Sequence, residues 1–96
     1  MGTQTTDMAA AKRSGPTPPP VDPVLRQTFA TNLRAARLSA KLTQQALADR
    51  SGLSREYIGQ AENGTANVSL DVVSMLAASL GRTPFWLLTP KTTRKA

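Results

Sequence analysis

The sequence predicts an all-α fold: a compact five-helix domain flanked by disordered N- and C-terminal arms. Three observations carry that prediction. Apolar residues between positions 22 and 89 recur at three- and four-residue spacing, the period of one helix face. Each such run opens on an Asp, Ser or Thr able to cap a helix, and most close on glycine. No segment shows the two-residue alternation of a half-buried strand.

From Met1 to Val21 nothing apolar repeats with a period, and "SGPTPPP" (14–20) can enter neither helix nor sheet, so residues 1–21 read as a disordered, polyproline-like arm. At Asp22 the character changes. Asp22 caps the first helix, Pro23 suits a first position whose N–H has no partner anyway, and Leu25, Phe29, Leu33 and Ala36 form a stripe running to about Ala40. Thr43 caps a second helix, "QQALADRS", with Leu47 and Ala48 inward and Gly52 allowing the turn that follows. Ser54 caps a third, which buries Ile58 and Ala61 and stops at Asn63 and Gly64. Ser69 caps the fourth, where Leu70, Val73, Leu76, Ala77 and Leu80 face inward until Gly81. Thr83 and Pro84 repeat the cap-and-proline device and open a last turn, "FWLL" (85–88). Links of two to six residues join the five helices. The folded domain is thus expected over 22–89, with residues 90–96 as a basic, disordered tail.

A chain of 96 residues supports one small domain whose apolar side chains converge on one core. It has no cysteine and no histidine, which removes disulfides, thiolate and imidazole metal ligands, and the commonest general base. Six carboxylates, two of them in or beside the arm, and the lack of a glycine-rich phosphate loop complete the argument against an enzyme. No metal, cofactor or small-molecule substrate is expected. No apolar run approaches the roughly 20 residues that span a bilayer, and the N-terminus lacks the apolar core of a secretory signal. The expectation is a cytoplasmic protein without a membrane partner.

Twelve Lys and Arg against six Asp and Glu give a net charge of +6, which favours a polyanion such as nucleic acid. Residues 1–23 are neutral, 24–89 carry seven basic and four acidic groups, and Lys91, Arg94 and Lys95 supply the remaining +3. The third helix is where that charge acquires a function. With Ile58 and Ala61 alone turned inward, Arg55, Glu56, Gly59, Gln60 and Asn63 share its outer side. The second helix ends three residues before the third begins, with Gly52 in the bend, the spacing of a helix-turn-helix whose second member enters a major groove. Arginine can fork onto guanine O6 and N7, and glutamine can pair with adenine N6 and N7. Gly59 costs about 1 kcal/mol in a helix relative to alanine, which suggests that close backbone approach, or a thymine methyl, needs the space.

The stretch "LRAARLSAKLTQQALADRSGLSREYIGQAENG" followed by "SLDVVSMLAASLGRTPFWLL" resembles the lambda/434-repressor-like helix-turn-helix proteins, also called the Cro/C1 or XRE type. The elements that carry the resemblance are "LTQ" opening the second helix, "SGLS" at the turn, "YI..AENG" closing the third helix and "LA.SLG" ending the fourth, in this order and spacing. The resemblance implies a five-helix lambda-repressor-like domain that binds double-stranded DNA sequence-specifically, as a two-fold homodimer.

By position, the resemblance puts Arg55, Glu56 and Gln60 at the bases; Gly59 joins them on the close-approach argument, and Glu56, a carboxylate repelled near DNA, is read as orienting Arg55. It makes Gln44 a phosphate contact that also braces the base-reading residues; Arg34, Thr43, Ser54, Tyr57, Asn63, Thr65 and Asn67 are the further candidates for phosphate contact, read from this chain's own residues. Arg37 and Glu62 match a pair that ties the first helix to the end of the third, a structural role. After Gly64 the family often carries basic residues, whereas this chain has "TANVS"; Arg34 and Lys41 are candidates to compensate. One recognition helix reads about four or five base pairs, so related proteins pair two domains roughly 34 Å apart along the duplex. Phe85, Trp86 and Leu88 cannot all turn inward from one short helix, and part of that cluster is expected at the dimer interface, with Trp86 the residue most open to capture by the core.

The N-terminal arm, with Lys12 and Arg13, reads as a passive leader, and "KTTRKA" as a source of nonspecific phosphate affinity. The function expected is a transcription regulator that blocks or recruits polymerase. "N.SLDVVSMLAASLG" (67–81) also resembles controller proteins of restriction-modification systems. A protein-interaction module, such as an antitoxin or adaptor, is the alternative from a different class.

Overall fold

The computed structural model describes residues 17–92 and contains five helices: α1 (Pro23–Ser39), α2 (Gln44–Ser51), α3 (Arg55–Glu62), α4 (Leu70–Leu80) and α5 (Pro84–Leu88). Among the described residues there is no strand. The N-cap side chains of Asp22, Thr43, Ser54, Ser69 and Thr83 each accept a backbone N–H two or three residues ahead. Each such bond satisfies one of the four donors a helix start leaves open and contributes about 1 kcal/mol. Residues 17–21 have no regular secondary structure, whereas residues 1–16, including Lys12 and Arg13, and residues 93–96, including Arg94 and Lys95, lie outside the described range.

The helix ends follow the same logic with one departure. Gly52 stops α2 at φ 81°, a left-handed conformation that a side chain disfavours, and so sets the tight entry into α3. At the end of α1 the corresponding left-handed residue is Lys41, at φ 60°. The Leu42 N–H donates to the Arg37 carbonyl at 3.1 Å and closes that turn without a glycine.

Packing converges on one core. α1 lies against α3, α4 and α5; α2 against α3 and α4; and α4 against α5. Leu33, Leu47, Ile58, Leu76 and Leu87 are its largest fully buried side chains, and each contributes about 1.5–3 kcal/mol by leaving water. Phe29, Ala36, Ala48, Ala61, Val73, Ala77 and Leu80 complete it. The link from 63 to 69 is one residue longer than expected, and it is itself packed: Ala66 is buried and Val68 lies against the core.

Two residues of the expected stripes are not core. Leu25 is 50% exposed and Leu70 is 81% exposed. Both occupy the first turn of a helix that begins beyond the edge of the core, so the periodic face is correct but its first rung has nothing to cover it. On α5 the fully buried residue is Leu87, which the sequence reading left unassigned; Trp86 is only half-buried against the core. A short helix entering from its proline turn presents one side chain squarely inward, and that position falls one residue after the tryptophan. Also unanticipated is Asn32, a buried amide on α1. It donates to the carbonyls of Trp86 at 3.2 Å, Leu87 at 3.0 Å and Thr89 at 2.8 Å, and thereby holds the C-terminal end of α5 onto α1.

Candidate nucleic-acid interface

The inward side of α3 consists of Ile58, Ala61 and Glu62, all buried; Tyr57 and Gly59 are half-buried at its edges; Arg55, Glu56, Gln60 and Asn63 are exposed. Only two apolar residues therefore anchor the helix from within, as the sequence suggested, and a carboxylate takes the third inward position. Neither Arg55 nor Gln60 is covered by a neighbouring element. Around Gly59 an added Cβ would meet nothing closer than Gln44 Oε1, at 3.9 Å. The fold itself leaves room for an alanine there.

Glu62 is held from behind by α1. Arg37 Nε donates to Glu62 Oε2 at 2.6 Å and Arg37 Nη2 to Oε1 at 3.0 Å, a forked pair in which the carboxylate side chain is 2% exposed and the guanidinium 9%. The remaining amine, Nη1, donates to the Leu42 carbonyl at 2.9 Å, so the arginine also secures the turn after α1. The hydrogen bonds that Arg37 donates to Glu62 raise its pKa above arginine's ordinary value; burial opposes this and the Glu62 charge reinforces it. Removing two charges from water is costly, and the forked geometry and third bond offset that cost.

From Glu62 the polar contacts continue outward. Gln44, the first residue of α2, donates its Nε2–H to Glu62 Oε1 at 3.1 Å. Its Oε1 accepts from Arg55 Nη1 at 3.5 Å, the upper limit for such a bond. Arg55 Nη2 lies 3.9 Å from Glu56 Oε2, a pair exposed to solvent on both sides.

The other residues singled out in the sequence fall around this centre. Thr43 Oγ1 and Ser54 Oγ accept the cap bonds from Ala46 and Tyr57 at 3.0 Å each, which uses an oxygen lone pair and leaves the hydroxyl hydrogen to donate elsewhere. Tyr57 and Thr65 differ. The Tyr57 hydroxyl donates to the Asn67 carbonyl at 3.3 Å and the Thr65 hydroxyl to the Gln60 carbonyl at 3.2 Å, so both hydrogens are engaged within the domain. Tyr57 thus braces the link between α3 and α4. Asn67 Oδ1 accepts from Arg26 Nη2 at 3.3 Å, a tether from α1 with no signal in the sequence. Asn63 is the exposed C-cap residue of α3, and Arg34 is exposed on α1 beside a shallow cleft that also touches Glu62.

On α5, Phe85 is 77% exposed, while Trp86 is half-buried beneath Arg82, whose guanidinium carbon sits 4.1 Å from the ring centroid. Leu88 lines an apolar groove of about 240 Å³ together with Val21, Leu25, Phe29, Leu70 and Val73. Among the described residues no group of three His, Cys, Asp or Glu is placed to hold a metal ion, and no helix is long and apolar enough to cross a membrane.

Known proteins share this fold. The helix-turn-helix family model HTH_3 matches residues 33–87, the end of α1 through α5. The crystal structure of the hypothetical transcription factor NHTF from Neisseria superposes with a TM-score of 0.70 at 33% identity, covering 84% of this chain and 93% of that one. Control protein C.BamHI of Bacillus amyloliquefaciens is 40% identical over 65 residues, 67% of this chain and 80% of the relative. The restriction-modification controller protein C.AhdI from Aeromonas hydrophila superposes with a TM-score of 0.63 at 40% identity, covering 65% of this chain and 94% of the controller. The chain belongs to the XRE/Cro/C1-type helix-turn-helix family of DNA-binding transcription regulators.

Proposed function

We propose that this protein is a cytoplasmic, sequence-specific regulator that binds a two-fold operator as a homodimer, with α3 of each subunit in the major groove. The observation that carries the proposal is the outer side of α3: Arg55, Glu56 and Gln60 stand exposed on a helix whose anchorage lies wholly on the other side. Arg55 and Gln60 read base edges, Glu56 steers Arg55, and the small Gly59 lets the helix approach closely. Gln44, Thr43 and Ser54 at the two helix starts, with Arg34, Asn63 and Asn67, contact phosphates, where backbone N–H groups at the start of α2 add directional donors. Tyr57 and Thr65 reach phosphate only by giving up bonds they make inside the domain.

Dimerisation uses α5 and its surroundings. Exposed Phe85 and the groove beside Leu88 provide apolar surface, and that groove accounts for Leu25 and Leu70, which the core leaves uncovered. Trp86 contributes through its outer edge.

Within the class, similarity to C.BamHI and C.AhdI favours a controller of restriction-modification genes over other transcription regulators. Selection of bound sequences from a random duplex pool tests the proposal. The expected winners carry a two-fold repeat whose half-sites lie about one DNA turn apart. Uniform affinity for all duplexes would instead indicate an adaptor or antitoxin that uses this fold to hold a protein.

A further inference from the structure

Glu62 and Arg37 join α1 to α3, and Glu62 also accepts a hydrogen bond from Gln44 on α2. We propose that Glu62 also determines the base preference of Arg55, acting through Gln44 as a positioning residue. The inference rests on the reading of α3 as the DNA-reading helix.

The argument starts from the Gln44 amide, whose two ends differ in charge character but hardly in shape. One end faces the Glu62 carboxylate at 3.1 Å and the other faces the Arg55 guanidinium at 3.5 Å. Only one orientation suits both neighbours: NH2 toward the anion, carbonyl oxygen toward the cation. Rotating the amide by half a turn would set oxygen against carboxylate and NH2 against guanidinium, two repulsive contacts in place of two attractive ones. The orientation is strongly enforced on the inner side, because Glu62 is buried and fixed by its fork with Arg37, which is itself tied to the Leu42 carbonyl. Arg55, by contrast, is half-exposed, and beyond Gln44 it has the loose 3.9 Å pairing with Glu56. A long side chain of this kind otherwise spreads over many rotamers, so an acceptor fixed on one side narrows where its fork points before DNA arrives.

The relay differs from a phosphate contact in what it changes. Loss of a phosphate contact weakens binding to every sequence alike, whereas loss of the relay should blur one position of the recognised sequence. Random-duplex selection with the full chain and with Arg55→Ala identifies the base pair that Arg55 reads. The same selection is then made with three variants. Gln44→Met removes the bridging acceptor and leaves the ion pair intact. Glu62→Gln removes the charge that orients the bridge while keeping an acceptor for Arg37. The double variant Arg37→Met/Glu62→Met replaces the buried pair with apolar side chains of similar volume, an exchange that is often neutral or stabilising for buried ion pairs. Circular dichroism and thermal melting establish that each is folded.

The expected result is a roughly fivefold to tenfold loss of preference at the Arg55 base pair in every folded variant, with other positions unchanged. Adding Gln44→Met to Arg55→Ala should then change that position no further. Full preference retained in Gln44→Met overturns the relay. Loss in Gln44→Met with full preference in a folded Glu62 variant overturns the role of Glu62 and leaves Gln44 acting alone. A wild-type chain that enriches no sequence overturns the reading of α3 itself, and with it this inference.

Discussion

The side-chain amide of Asn32, buried on α1, donates to the Leu87 carbonyl on α5 at 3.0 Å. The same nitrogen reaches the Trp86 and Thr89 carbonyls, so one α1 side chain caps the end of the shortest helix in the domain. α5 has only five residues, too few to be stable by itself, and it depends on this cap and on Leu87 for its position. Asn32→Ala should therefore lower unfolding stability by about 2 kcal/mol, because a buried carbonyl loses its donor. Urea denaturation measures the loss. A change below the error of the method would show that the carbonyls find other donors.

The Arg37–Glu62 pair predicts a non-additive result. Arg37→Met should cost about 3–5 kcal/mol by leaving a buried carboxylate unpaired, whereas Arg37→Met/Glu62→Met should recover most of that loss. The double-mutant cycle is read from denaturation midpoints. The raised pKa of Arg37 also has a defined sign: its stabilisation is complete below arginine's ordinary pKa and disappears only as pH climbs through the higher folded value. No loss of stability from Arg37 deprotonation is expected near neutral pH.

Gly59→Ala separates stability from binding. The helix should gain about 1 kcal/mol, because alanine is the better helix former and its Cβ would meet only Gln44 Oε1, at 3.9 Å. Affinity for the selected duplex should nevertheless fall, since the methyl group occupies space that the groove needs. A variant that is both more stable and equally tight would place the α3 backbone away from the bases.

Arg55→Ala should weaken binding to the best site by about 1–3 kcal/mol while hardly affecting random duplex. Equal losses on both, measured by fluorescence anisotropy at one salt concentration, would reassign Arg55 to phosphate contact.

Phe85→Glu should leave the thermal stability of the monomer within about 0.5 kcal/mol of wild type, as befits an exposed position. The dimer dissociation constant should rise by about tenfold or more if Phe85 anchors the interface. Sedimentation equilibrium decides, and unchanged association would locate the interface elsewhere.

The sequence alone determined the five helices and their order. Caps at Asp22, Thr43, Ser54, Ser69 and Thr83 and the bend at Gly52 are local chemistry, since each concerns atoms only a few residues apart. Periodicity identified most of the core for the same reason: helix geometry fixes which positions share a face. The exposed side of α3 was legible too, because a helix with so few apolar residues leaves few ways to turn it.

What the tertiary structure decided are the relationships between residues far apart in the chain. Periodicity says which face of a helix is apolar but not where the neighbouring helix stops, and so Leu25 and Leu70 were expected in the core and are exposed. It gives no inward register to a single turn, and so Leu87 took the place considered for Trp86. Buried polar contacts are the extreme case. Asn32 beneath α5, Arg26 on the α3–α4 link and the Gln44–Glu62 hydrogen bond arise because folding brings distant donors and acceptors to hydrogen-bonding distance, with no local pattern to announce them; the Arg37–Glu62 pair and the bracing role of Gln44 were expected only through the family resemblance.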